Sequence, residues 1–399
     1  MRIRFQHAII ALCAVVIMAS TSFASEGTII GWGWNNYGQA TPPSGVGYQA
    51  IAAGYWGSLA LAADGSIVAW GYDDYGQVSA APAGTGYQAI SAGRYHNLAI
   101  TASSSINAWG NDEDNQISNT PSGNDFQAIS AGWSHNLALR NDGSIVAWGD
   151  DDNGQVSGMP GGTGYLEVAA GRYCSLALAA DGSIVVWGDD SHGQVSDAPS
   201  GSAFAAIAAG ASHCLALAAD SSIHAWGWDD YDQVSGTPSA TGFRAIAAGR
   251  YHNLAIAADG SIVGWGEDMY DAVSGKPNGT GHQAIAAGYR HSLAISNNVT
   301  DVADESMAKT NLVQNYPNPF NPSTRILFEV DRTAMVSLKV YDLSGRLIRV
   351  LLEEIKSAGR HEAAWDGRNG RGELVASGIY FYQLAADAER YTRKMILIR

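Results

Sequence analysis

The sequence is poor in cysteine, in basic residues and in long apolar runs, and each shortage closes a class of function. Three cysteines occur in 399 residues. Cys13 sits in an N-terminal apolar stretch, which leaves Cys174 and Cys214, too few for a disulfide framework. Those two could form a bridge or stay free. Only 23 Lys and Arg face 38 Asp and Glu, for a net charge of -15. That balance argues against nucleic acid or an anionic membrane as partner and favours a cationic or neutral one. The apolar run Ala8 to Ala19 is too short to span a bilayer comfortably. Also missing are a G-x-S-x-G elbow, an H-E-x-x-H pair and a phosphate loop, so no enzyme is expected.

The N-terminus has the form of an export signal. Arg2 and Arg4 precede the apolar run, and Ser22-Phe23-Ala24 is a small-x-small cleavage site. Residues 1–24 are therefore expected to leave a protein that is secreted or held at the cell surface.

What is abundant is periodicity. Gly54, Gly93, Gly132, Gly171, Gly210, Gly249 and Gly288 recur every 39 residues. A second series, Trp32, Trp70, Trp109, Trp148, Trp187, Trp226 and Trp265, keeps the same period apart from one step of 38. Seven copies at one period mean a repeat architecture. Within a unit, "YQAIAAG", "SLALAA" and "SIVAWG" read as strands, and Asp64-Gly65 fits a two-residue hairpin turn. No helical periodicity appears in the repeats. The expected fold is all-β, a seven-bladed β-propeller over residues 25–297. The last unit lacks its Trp-Gly strand and the first begins with only that strand, "GTIIGWG", so the two termini should complete one sheet.

The motifs "AAGxxH[NS]LA[LI]", "DGSIVAWG" and "DDxGQV" resemble the repeat of the regulator of chromosome condensation family, and the short period is closer to its secreted bacterial relatives, including propeller-type β-lactamase inhibitor proteins. The resemblance implies a propeller that binds other proteins without catalysis and without a cofactor. Departures are Gly57 and Cys174 in the histidine slot and Ala272 in the loop glutamine slot.

Three sets of residues are candidates for function. His96, His135, His213, His252 and His291 share one slot. Lying in separate blades, they cannot gather within about 2.1 Å of one zinc ion, so each is expected to satisfy inter-blade backbone. No metal site is expected. Acidic loops such as Asp73-Asp74 and Asp150-Asp151-Asp152 fail the known calcium patterns and read as turns. The pair after each repeat glycine is richer in meaning: Tyr55-Trp56, Arg94-Tyr95, Trp133, Arg172-Tyr173, Arg250-Tyr251 and Tyr289-Arg290. With the loop-tip residues Tyr37, Tyr75, Tyr231 and Tyr270, these types match protein-interface hot spots. They should form an aromatic ring on one face that a monomeric chain presents to an extracellular protein. A glycan is the rival ligand, an adhesive surface role is another alternative, and a hydrolase is a more distant one. Since Ala211-Ser212 fills the same slot, the fold should tolerate loss of these aromatics.

After residues 298–310, a polar linker, the composition changes. Tyr316-Pro317-Asn318-Pro319-Phe320-Asn321-Pro322, Tyr341-Asp342-Leu343-Ser344-Gly345 and Ala376-Ser377-Gly378-Ile379-Tyr380 are carried on short strands that suggest a β-sandwich over 311–399. This segment is similar to type IX secretion sorting domains and to the immunoglobulin-like domain of the flagellar hook-capping family, which implies contact with that secretion machinery. Its 13 basic and 10 acidic residues contrast with 7 and 25 in residues 25–297.

Overall fold

The computed structural model describes residues 27–45, 47–297, 311–312, 315, 320–330, 332–357, 359–386 and 389–398. The export signal, the linker and Tyr316–Pro319 of the proline-rich motif lie outside these residues. The chain divides into two compact units, residues 1–301 and 302–399.

The first unit is built of seven three-stranded antiparallel sheets. One sheet is typical: Tyr48–Ala53 pairs with Gly57–Ala62, which pairs with Ile67–Gly71. The alternation of large and small residues in "SLALA" buries both faces of the middle strand. Leu59 and Leu61 of this sheet pack against Ile90 and Ala99 of the next, and Ala60 receives Leu293 and Ile295 from the sheet before. Large side chains facing small ones let neighbouring sheets interdigitate at interior density. The N-terminal strand Thr28–Gly33 pairs with His291–Ser296 in register from Thr28↔Ser296 to Gly33↔His291. The two ends of the repeat region thus share one sheet.

The turn at Asp64-Gly65 is longer than the sequence suggested. Ala62 N donates to Ser66 O and Gly65 N donates to Ala62 O, which makes a three-residue loop with only Gly65 left-handed, at φ 78°. Ser104 and Ser221 take that place in two other sheets at φ 58° and 66°.

The repeat glycines are explained by close approach. A Cβ on any of the seven would meet the carbonyl oxygen of the next glycine in the series at 2.7 Å or less. The chain of contacts runs from Gly54 through Gly288 and back to Gly54.

Side chains tie the sheets together with the same period. Every Trp of the Trp-Gly series donates its indole N–H, at 2.8–3.0 Å, to a carbonyl in the loop that follows the preceding sheet. The acceptors are Gln39, Gln77, Gln116, Gln155, Gln194, Gln233 and, where glutamine is missing, Ala272. The histidines do not bond backbone, as expected from the sequence, but a side chain of the neighbouring sheet. His96 Nε2 lies 2.7 Å from Asn136 Oδ1, His135 2.9 Å from Ser175 Oγ and His291 3.0 Å from Ser58 Oγ. Those Asn and Ser side chains donate onward to the same loop carbonyls. Cys174 and Cys214 occupy the two ends of this contact in a single place, both free and wholly buried, with sulfurs 3.8 Å apart.

The acidic loops close on themselves. Asp73 Oδ1 accepts the amides of Val78 and Ser79, and Asp112, Asp151, Asp190, Asp229 and Asp268 repeat the arrangement.

The second unit holds two sheets around one core. Asn311–Leu312, Thr324–Val330 and Gly359–Trp365 form one, and Leu347–Lys356, Ala334–Asp342, Gly378–Ala386 and Glu389–Leu397 form the other. Ile326, Phe328 and Trp365 from the first pack with Leu338, Tyr382 and Met395 from the second.

Burial, the largest influence, pushes the rings of His96, His213 and His252 down to about 4, and those of His135 and His291 to about 3. An unfolded histidine titrates near 6.5, at about the ordinary value. The folded rings therefore refuse a proton that the unfolded chain accepts. Their contribution is complete above pH ~6.5 and is lost as the pH falls towards 4, by up to about 1.4 kcal/mol per pH unit for each histidine. Urea unfolding at pH 7 and pH 5 should show this loss, and His96→Gln should reduce proton uptake on unfolding by about one. Equal stability at both pH values would contradict the buried, neutral slot.

Candidate functional site: the mouth of the central channel

A channel of about 150 Å³ runs where the seven sheets converge. The Ala-Gly pairs that end the first strand of each sheet line it, together with Tyr55, Arg94, Trp133, Arg172, Arg250 and Tyr289 from the slot after the glycine. The backbone positions these side chains. The amides of Tyr55, Trp133, Arg172 and Arg250 each donate to the carbonyl of the next repeat glycine, at 3.0–3.2 Å. Equivalent slots in consecutive sheets are thereby pulled onto one face.

The aromatics make one continuous set of ring contacts. Tyr55 stacks on Tyr289 at 4.0 Å and meets Trp133 edge-on at 4.7 Å. Trp56 touches Tyr37, Tyr72 and Tyr95, and Tyr95 touches Tyr75. Tyr289 leads through Tyr251 to Trp228 and Tyr231. Tyr270 joins through Trp34. The arrangement is a crescent, not the complete ring expected from the sequence. It is interrupted at Ala211-Ser212, and among the described residues Tyr173 touches no ring and only Arg172 lies over it. Tyr72 was overlooked in the sequence. Its signal is the position directly after a Trp-Gly pair, which Trp34 and Trp228 share.

Exposure divides the set. Tyr37, Tyr75, Tyr231 and Tyr270 at the rim are 40–50% exposed. Tyr55, Trp56, Tyr95, Trp133 and Tyr251 are only half-buried, held in mutual contact. Burial, then a hydrogen bond with Tyr289, raises the pKa of Tyr55 above the ordinary phenol range. The expected tolerance thus meets a competing contact: the inner aromatics pack on one another, while the rim tyrosines touch the same set and stay 40–50% exposed.

The charge of the mouth also departs from that of the whole chain. Arg94, Arg172 and Arg250 lie 4.3, 4.0 and 5.2 Å from the centre of the Trp133 ring. Arg250 Nη1 donates to the Tyr55 hydroxyl. Of these four arginines, Arg290 alone forms an ion pair among the described residues, with both oxygens of Glu267 at 2.7 Å. The sequence expectation of a cationic or neutral partner came from net charge, which does not describe this mouth.

The first unit is a β-propeller-like repeat fold with an aromatic, arginine-bearing mouth. Six segments, residues 48–77, 87–116, 126–155, 166–194, 204–233 and 243–269, match the Regulator of chromosome condensation (RCC1) repeat. Residues 318–390 match the FlgD Ig-like domain. No curated protein matches the chain in sequence. Similar solved structures include Prp20p from Saccharomyces cerevisiae, at TM-score 0.58 and 18% identity, covering 71% of this chain and 92% of that one. Human WBSCR16 aligns at TM-score 0.53 and 16% identity over 68% of this chain and 98% of its own. The ectodomain of the Arabidopsis thaliana receptor kinase ACR4 aligns at 0.50 and 23%, over 61% and 90%. These structures share the fold of the first unit, whose six segments match that repeat.

Replacing Trp133 by alanine should cost about 2 kcal/mol, because it removes ring packing and the surface that carries three guanidinium groups. Tyr75→Ala and Tyr231→Ala at the rim should each stay within about 0.5 kcal/mol. Denaturant midpoints of the three variants compare them directly, and a Trp133 variant as stable as the parent would refute the packing role.

Proposed function

We propose that the chain is a secreted or cell-surface binding protein without enzymatic activity, and that the aromatic crescent at the channel mouth contacts an extracellular protein. One observation carries this reading: four large tyrosines stand 40–50% exposed around an already packed aromatic set, at a loop position where other repeats carry Asp114, Asn153 and His192. Exposed rings of that kind suit a contact surface. Catalysis needs an asymmetric acid-base constellation, whereas the sheets of the described residues repeat evenly, which supports the non-enzymatic reading. A protein partner also agrees with Prp20p, a similar structure characterised for binding Gsp1p and histones. We read the first unit as a closed seven-bladed propeller of the secreted, β-lactamase-inhibitor-like kind. The second unit is an immunoglobulin-like sandwich that serves as a type IX sorting domain.

Affinity capture from the native extracellular milieu tests the binding role. The full chain should retain a protein, and a Tyr75→Ala/Tyr231→Ala variant should retain at least tenfold less. Capture of glycans alone would transfer the face to a lectin role, and turnover of a glycoside or peptide would end the non-enzymatic reading. For export, a chain ending at Asn297 should stay behind the cell envelope of its host. Its appearance at the surface in normal amounts would remove the sorting role from residues 311–399.

A further inference from the structure

Basic residues are scarce in the repeats, and their placement is uneven. Residues 27–297 hold seven, and four of them, Arg94, Arg172, Arg250 and Arg290, fall in the pair after a repeat glycine. Glu267 neutralises Arg290. No carboxylate pairs with Arg94, Arg172 or Arg250 among the described residues. Within the acidic loops, Asp73, Asp112 and their equivalents accept amides of their own loops. The Nε of each of the three arginines is buried and has no hydrogen-bond partner. Burial first, and then the charge of Arg250 against the opposing influence of Tyr173, lowers the pKa of Arg172. Like charges held together on one indole, without a counter-ion, repel one another, and an oxyanion between them would remove that repulsion.

We infer that the channel mouth is a binding site for a carboxylate, inserted as an acidic side chain of the protein partner between Arg94, Arg172 and Arg250, with its flanking residues resting on Trp133, Tyr55 and Tyr289. The guanidinium fork matches a carboxylate in two parallel hydrogen bonds. The channel of about 150 Å³ has room for about five waters, enough for a carboxylate and its methylenes. The rings supply apolar contact on either side of the charge. This inference rests on the protein-binding reading of the same face and adds the chemistry that it selects. It also predicts a partner with an acidic prominence, despite the acidity of the chain as a whole.

Hexaglutamate is the probe, titrated calorimetrically into the full chain at low ionic strength, with hexalysine and inorganic phosphate in parallel. Hexaglutamate should bind at one site, weaken at least tenfold on going to high salt, and leave hexalysine without effect. Arg94→Gln/Arg172→Gln/Arg250→Gln should weaken it at least tenfold, while Arg140→Gln, distant in sequence and paired with Asp125, should change it less than twofold. Should the triple variant not fold, the Nε–H resonances of the three arginines in the parent chain report instead, and they should shift with hexaglutamate. No binding, equal binding by the triple variant, unmoved arginine resonances, or phosphate binding as tightly as the peptide would each overturn the inference. If hexaglutamate fails while a captured protein is still held, the carboxylate site falls and the binding role stands. If hexaglutamate binds and no protein is captured, the reverse holds.

Discussion

The indole N–H of the Trp-Gly tryptophan, donated to a carbonyl beside the preceding sheet, is the contact on which the repeat unit depends. A three-stranded sheet of this size has two apolar faces and cannot cover both alone. Interdigitated leucine and alanine supply the burial, but burial is non-directional and does not set an angle between sheets. The indole bond does, because a buried donor left without its acceptor is costly and its geometry is narrow. At every such carbonyl but that of Gln194 a second bond comes from Asn or Ser, and in most sheets that side chain also meets the histidine of the neighbour. Each sheet is therefore positioned by the one before it. Thr28–Gly33 carries Trp32 into the final place, and Ala272 shows that the backbone oxygen is what the tryptophan requires.

The face follows from that packing. The repeat glycines bring the ends of the first strands so close that the slot after each one projects at the channel mouth. Once the scaffold is held elsewhere, this slot is free to vary, and it carries Tyr, Trp, Arg or Ala in different sheets. Variation at equivalent positions of an otherwise regular unit is how a symmetric frame acquires an asymmetric surface. The crescent of rings and the three unpaired guanidinium groups are both products of it.

Much of this was legible in the sequence because it depends on local pattern. The period of 39 residues, the strand alternation, the glycine and tryptophan series and the return of the N-terminal strand to the last sheet are all written in residue spacing. So were the residue types at the mouth. The turn at Asp64-Gly65 was misjudged by one residue, since an Asp-Gly pair suits both two- and three-residue hairpins and strand pairing selects between them. The histidine partner was misassigned for a related reason. His96 and Asn136 are 40 positions apart, and only the stacking of one sheet on the next puts them 2.7 Å from each other.

The sequence by itself determined that this is an all-β repeat chain with an aromatic slot in most units, because strand propensity, turn chemistry and periodicity act over a few neighbouring residues. Tertiary structure alone decided which of those slots meet. Arg94, Trp133, Arg172 and Arg250 are separated by whole sheets along the chain, yet the curvature of the array converges them on one ring. Net charge could not reveal this, because it sums over a surface, whereas the potential at the mouth depends on which charges are near and which have already found partners.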